Sequence, residues 1–316
     1  MREFALIDRL AQRLAARRPD TGLGIGDDAA LIIPTAGEEL AITTDTLIAG
    51  RHFPDDTPAF DIGYKAVAVN LSDLAAMGAE PAWLTLALAV PELDETWCDA
   101  FVDGALAAIA PADVDIVGGD TTRGALSITI TALGRLPAGA ALRRAQARAG
   151  DAIAVTGTLG DAAYGLACWA DRAQANDDQR FCIARLARPQ WRSGAALREL
   201  AHAAIDISDG LGADLGHMLT SSGVGATIDL DALPASTALT RETDAARRRA
   251  LQWGGGDDYE LCIALDQAQI ERARRALDCP LTVIGRIDEQ PGLRVVDSNG
   301  RAQRLPGAPG WDHFDM

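Results

Sequence analysis

LSITITALG, residues 126–134, is the stretch on which the fold turns. Ile128 and Ile130 alternate with Thr129 and Thr131, a period of two that marks a strand with one buried and one open face. Strands of fully parallel sheets are buried on both faces and read as unbroken apolar runs, so this alternation predicts a mixed or antiparallel sheet, not a doubly wound one. Other short apolar runs predict strands at 40–44, 84–90 and 114–117 in the first half. In the second half they predict strands at 152–156, 204–207, 226–230, 261–265, 281–284 and 293–296. Helical patterns separate them, and the expected class is α/β, of the mixed α+β kind.

With 316 residues, 48% of them hydrophobic, the chain has material for two cores. PAGAALRRAQARAG, residues 137–150, carries Pro, Gly and three Arg without apolar periodicity, which suggests an inter-domain connection. The expected boundary lies near Arg148, giving domains 1–148 and 149–316. Segment 4–18 is amphipathic, with Ile7, Leu10 and Leu14 on one face, and its Asp8 and lack of a cleavage pattern make it a core-packing helix, not a targeting peptide.

A formal net charge of −16 repels phosphodiester backbones and anionic lipid surfaces, so neither nucleic acid nor a membrane is expected as partner. No apolar stretch approaches the roughly 20 residues of a membrane helix. Five cysteines at irregular spacing, with no Cys-x-x-Cys, fit scattered buried thiols in a reducing cytoplasm.

The aspartates are more informative. They stand in GIGDDAALI (Asp27, Asp28), ITTDT (Asp45), NLSDLAAMG (Asp73), VGGDTT (Asp120), IDISDG (Asp206, Asp209) and GGGDDYEL (Asp257, Asp258). Asp beside Gly is also ordinary turn and N-cap chemistry, which accounts for any one of these motifs. Six of them, most closing an apolar run in an already acidic chain, call for something cationic. Magnesium takes one or two carboxylates per ion and completes its shell with water and phosphate, so several converging loops would hold more than one ion. The glycines Gly24, Gly26, Gly118, Gly119, Gly157, Gly160 and Gly254 to Gly256 would let backbone amides approach a polyphosphate. There is no G-x-x-x-x-G-K-[ST] loop, no G-x-G-x-x-G opening a strand-helix unit and no H-R-D, and Lys65 is the single lysine. Phosphate charge is then left to metal and Arg, which suits phosphoryl transfer by positioning and electrostatics.

GIGDDAA, TTDTLIAGRHF, YKAVAVNLSDLAAMGA, VGGDTTRG, VTGTLGDAA, IDISDGLGADLGH, GGGDDYEL and the terminal GWDHF together resemble the thiamine-monophosphate kinases, from about residue 22 onward. The resemblance extends to a superfamily of ATP-using enzymes that includes aminoimidazole ribonucleotide synthetase. It implies two α/β domains, a homodimer formed through strands of the first, and the phosphorylation of thiamine monophosphate by ATP with several Mg2+ ions. Position by position it implies that Asp28, Thr43, Thr44, Asp45, Asp73, Asp120, Asp206 and Asp209 contact magnesium. Gly119, Asp120, Arg144 and Ser208 would bind ATP, and His52, Asp257 and Trp311 would line the thiamine pocket. No residue is implied as a general base. One departure is visible: where the family often has Glu in GGEDYE, this chain has Asp257. Aminoimidazole ribonucleotide synthetase activity, and a non-catalytic acidic protein that binds divalent ions, are the readings to set against this one.

Overall fold

In the computed structural model, residues 12–14, 16–307 and 310 are described. They fall into two units, one within Met1–Leu74 and Ala79–Ala140, the other within Ala75–Gly78 and Ala141–Met316. The chain changes unit at Ala140, ahead of Arg148, because Leu142 and Ala147 are buried in clusters of the second unit. Leu14, from the predicted N-terminal helix, is buried, while Ile7 and Leu10 lie outside the described residues.

The first unit is built on a four-stranded sheet. Its strands β3 (Glu38–Ile48), β4 (Glu80–Val90), β5 (Asp115–Arg123) and β6 (Ser127–Pro137) run in the order β3-β6-β4-β5. A small ladder of β1 (Thr21–Leu23) and β2 (Leu31–Ile32) precedes them. Only β4 and β5 pair in parallel, so the sheet is mixed, as the alternation in 126–134 requires. Ile128, Ile130 and Ala132 of β6 are buried on one face. On the other face Thr131 pairs with Thr44 (2.9 Å) and Thr129 with Thr46 (2.8 Å), hydroxyl to hydroxyl. Ile42 and Ile48 flank these threonines, 63% and 44% exposed.

Helices α1 (Ala59–Ala76) and α2 (Glu95–Ile109) complete this unit, α2 starting at Asp94, whose carboxylate accepts the Trp97 amide at 2.7 Å. They cross at glycines: a Cβ on Gly63 would lie 2.0 Å from the Phe101 carbonyl oxygen, and one on Gly104 would lie 1.8 Å from that of Phe60. The backbones are thus in contact, which no residue with a side chain allows.

In the second unit a six-stranded sheet has the order β12-β9-β11-β7-β10-β8. Its strands are β7 (Ala152–Thr156), β8 (Ala201–Ile207), β9 (Gly225–Asp229), β10 (Glu260–Leu265), β11 (Leu281–Asp288) and β12 (Gly292–Val296). All pairings are antiparallel except β12 with β9. Ile205 and Ile207 join a core cluster with Leu211, Leu215 and Met218 of α5 (Leu211–Ser222), while Ala204 joins the cluster that holds Ala273 of α8 (Ile270–Ala276). Helices α3 (Asp161–Cys168), α4 (Asp177–Ala187), α6 (Thr237–Glu242) and α7 (Ala245–Gly254) lie between the strands in sequence. Among the described residues no helix is long and apolar enough to cross a membrane. Cys98, Cys182 and Cys262 are buried thiols, and burial pushes the last two up to about 12.

One buried charge network ties this unit together. Glu260, at the start of β10 and without solvent exposure, accepts from Thr156 Oγ1 (2.7 Å), Arg185 Nη2 (2.9 Å) and Arg192 Nε (2.6 Å). Glu260→Gln keeps the volume but removes the charge that both guanidinium groups, buried Arg185 and half-buried Arg192, bond directly. It is expected to cost about 3–5 kcal/mol in denaturant unfolding, and a loss below about 1 kcal/mol would show that the network does not hold the unit.

Candidate active-site residues

In the first unit all the expected metal ligands except Asp28 stand on regular elements, not on the loops that the aspartate motifs suggested. Asp45 lies inside β3, Asp120 inside β5 and Asp73 inside α1. The reason is local: an apolar run followed by Thr-Thr-Asp-Thr continues as a strand when its polar residues fall on a partly open face. Thr43 Oγ1 donates to Asp73 Oδ2, and the Asp45 amide donates to Asn70 Oδ1 at 3.1 Å. Asn70 and Asp73 are one helical turn apart, and Thr43 and Asp45 share one face of β3, so Thr43, Asp45 and Asp73 gather between strand and helix. Two carboxylates and a hydroxyl are hard oxygen donors in the number that magnesium takes from protein, and they fit that ion.

The structure does not add the other ligands of this unit to that group. Thr44 is bonded to Thr131 on the opposite face. Asp120 shares a cross-strand row with Ala87, Thr129 and Thr46, whereas Asp45 shares the next row with Ile130, Leu86 and Gly119. Adjacent rows face opposite sides, and β3 and β5 are three strand spacings apart, roughly 14 Å. Asp28 is exposed in the loop between β1 and β2. Among the described residues no group of three or more His, Cys, Asp and Glu is arranged to hold a metal. His52 accepts the Ile48 amide on Nδ1 at 3.0 Å, and Lys65, almost fully buried, donates to the His52 carbonyl at 3.0 Å.

In the second unit Ser208, Asp209 and Gly210 form the loop between β8 and α5. Their three amides donate to one oxygen, Oδ2 of Asp214, at 3.0, 3.1 and 3.2 Å. Burial and the nearby Asp209 carboxylate push Asp214 up to about 7, against the pull of those amides. Asp257 is bolted to the same loop, its amide donating to the Ser208 carbonyl at 2.8 Å. Gly310 also packs there: a Cβ on it would stand 2.6 Å from the Asp209 carbonyl oxygen. Trp311, the next residue, lies outside the described residues. Ser208, Asp209 and Asp257 are therefore brought together. Asp206 projects with Ala204 to the face away from α5 and is buried. Arg144 is tied through its carbonyl to Ser222 at the far end of α5 (2.8 Å), one 12-residue helix, roughly 18 Å, from Ser208.

Three of the glycines expected to cradle phosphate, Gly119, Gly157 and Gly160, serve the fold. The Gly157 amide donates to the Pro280 carbonyl, and the Gly160 amide donates to Asp258 at 2.8 Å. A Cβ on Gly157 would lie 2.0 Å from Glu260 Oε1, and one on Gly119 would lie 1.8 Å from the Leu86 carbonyl oxygen. Asp214, which no motif singles out, stands in the first turn of α5, where a carboxylate can reach back to the amides ahead of the helix. Asp258, of the GGGDDYEL motif, is buried and accepts the Gly160 amide. Burial pushes its carboxyl well above the ordinary range, the neighbouring Asp161 adds to this, and Oδ1 has no partner.

The sequence matches the family described as AIR synthase related protein, N-terminal domain, over residues 26–136, and its C-terminal domain over 148–298. It is 48% identical to the thiamine-monophosphate kinase of Salmonella typhimurium over 99% of this chain and 98% of that one. The chain belongs to the thiamine-monophosphate kinase family. Among solved structures, the thiamine-monophosphate kinase from Stenotrophomonas maltophilia K279a is 49% identical with a TM-score of 0.87, over 96% of this chain and 98% of that one. AaThiL complexed with AMPPCP and TMP is 30% identical with a TM-score of 0.78, over 99% of each chain.

The Asp214 arrangement predicts a local effect. In Asp214→Ala the amides of Ser208, Asp209 and Gly210 are expected to exchange hydrogen about tenfold faster or more, as suits the loss of bonds to a charged acceptor, while Val155 in β7 keeps its protection. Unchanged exchange at all three amides would show that Asp214 does not hold the loop.

Proposed function

We propose that the protein transfers the γ-phosphoryl group of ATP to the phosphate of thiamine monophosphate, giving thiamine diphosphate by direct in-line displacement. The observation that carries this is the full-length similarity to a structure described as holding AMPPCP, an ATP analogue, and TMP, read with the family's name as thiamine monophosphate. The acceptor is a phosphate monoester with a second pKa near 6, so at neutral pH its oxygen is already deprotonated and no general base is needed. The obstacle is charge: two phosphates in close approach repel by roughly 4 kcal/mol per unit pair in a partly dry site. Bound magnesium ions supply the counter-charge.

Within this reading Thr43, Asp45 and Asp73 hold metal, and Asp28, Thr44, Asp120, Asp206 and Asp209 are further ligands. Residues 1–148 carry metal binding and dimerisation, and residues 149–316 contribute Ser208 toward ATP and Asp257 toward the thiamine moiety. His52 and Trp311 are likewise candidates for binding the thiamine moiety. Arg144 and Ser208 contact one nucleotide only if it lies extended along α5, with Gly119 supplying a backbone contact. Release of ADP on mixing with thiamine monophosphate is the deciding assay, with aminoimidazole precursors as the control substrates. Activity is expected to vanish with EDTA and to fall at least about a hundredfold in Asp73→Asn, which keeps volume but loses a ligand charge. Half the normal rate in that variant would remove the metal assignment.

The open face of the first sheet, with exposed Ile42 and Ile48 around paired threonines, supports a homodimer in which a second copy covers it. A partner would also answer the separation of Asp120 from Asp45. Sedimentation is expected to give twice the 33.2 kDa chain at micromolar concentration, and Ile42→Asp should shift it toward monomer. A wild-type monomer would overturn the dimer.

A further inference from the structure

Among the described residues only Asp257 and Tyr259 combine a side chain with a positive φ, 69° and 50°. L side chains avoid this region, bulky ones most of all, so two cases within three residues mark a turn held in place by its surroundings. The bonds that hold it are present: the Asp257 amide donates to the Ser208 carbonyl and the Tyr259 amide to the Ile207 carbonyl, both at 2.8 Å. Between them Asp258 turns inward and accepts the Gly160 amide. The flanking side chains meet instead, Tyr259 Oη donating to Asp257 Oδ1 at 3.2 Å.

We propose that Tyr259 is a positioning residue that aims the Asp257 carboxylate at the cationic ring of the acceptor, and so sets specificity for a positively charged substrate. This rests on the placement of Asp257 at the thiamine moiety made above. A carboxylate on a single methylene can swing about two torsions, and a phenol donor on one oxygen restricts that swing. The strained turn fixes the backbone from which both groups project, leaving the hydroxyl to fix the rest. Since Asp257 has a shorter reach than the Glu often found in the family, its direction matters more than its flexibility.

An interaction with the remote cationic part of a substrate is the same in ground and transition states, so its loss raises KM and spares kcat. Tyr259→Phe keeps the ring and the turn and deletes the donor. It is expected to raise the KM for thiamine monophosphate about five- to tenfold, in proportion to one ordinary hydrogen bond. Turnover, the KM for ATP and the thermal midpoint should stay near their wild-type values. Asp257→Asn should raise the same KM further, and the double variant should be no worse than Asp257→Asn alone, because the hydroxyl acts through that carboxylate. Additive losses, an unfolded Tyr259→Phe protein, or an unchanged KM in Tyr259→Phe beside a raised one in Asp257→Asn would each overturn the positioning role. An unchanged KM in Asp257→Asn would instead overturn the substrate placement on which the role depends.

Discussion

The second unit is organised around a carboxylate that water never reaches. Glu260 follows the 257–259 turn directly, and its partners fix the end of β7 through Thr156, helix α4 through Arg185, and the segment after it through Arg192. Thr156 Oγ1 in turn accepts the Leu261 amide at 2.8 Å, closing the network onto β10. A buried ion pair is a poor source of stability, because desolvation consumes most of the attraction. Its value is geometric: few other arrangements satisfy two guanidinium groups at once. The loops that follow β8 and precede β10 inherit that geometry, and Ser208, Asp209 and Asp257 stand where those two loops meet.

The strands were legible because burial on one face leaves a period of two. Ile128 and Ile130 are buried where the alternation places them, and the run at 152–156 coincides with β7. The motifs were legible as a family pattern, and the similarity to known kinases agrees with it. The local setting of their residues was not. Asp45 and Asp120 resemble loop aspartates because Gly, Thr and Asp are turn formers, yet the ladder carries both strands through them. Gly157 and Gly160 resemble a phosphate cradle, but their amides are spent on Pro280 and Asp258, partners far away in sequence. Arg144 and Ser208 lie near each other in no sequence sense, and only the length of α5 sets their spacing. Tyr259 carries no signal at all until its φ is known.

Acidic residues dominate this chain, and the structure divides them by what they face. Asp214 and Asp258 accept backbone amides and act as fixed connectors inside the second unit. Asp20 sits between Arg18 and Arg135, whose guanidinium groups hold it below the usual carboxylate range. Asp45 and Asp73 gather with Thr43 and, beside them, Lys65 is committed to a carbonyl. Net charge alone therefore misleads about the sites: part of it is consumed as scaffolding, and the remainder is available to cations.

The contact of α1 with α2 at Gly63 and Gly104 reaches further than packing. Asn70 and Asp73 ride on α1, two and three turns beyond Gly63, and their distance from β3 is set by how closely α1 can lie against its neighbour. A methyl group at either glycine would push the helix aside by an ångström or more, roughly the difference between a carboxylate that reaches Thr43 and one that does not. The position of the Asp73 carboxylate is thus governed by the absence of an atom elsewhere. A side chain at either place would therefore disturb the helix packing and the carboxylate on α1 together.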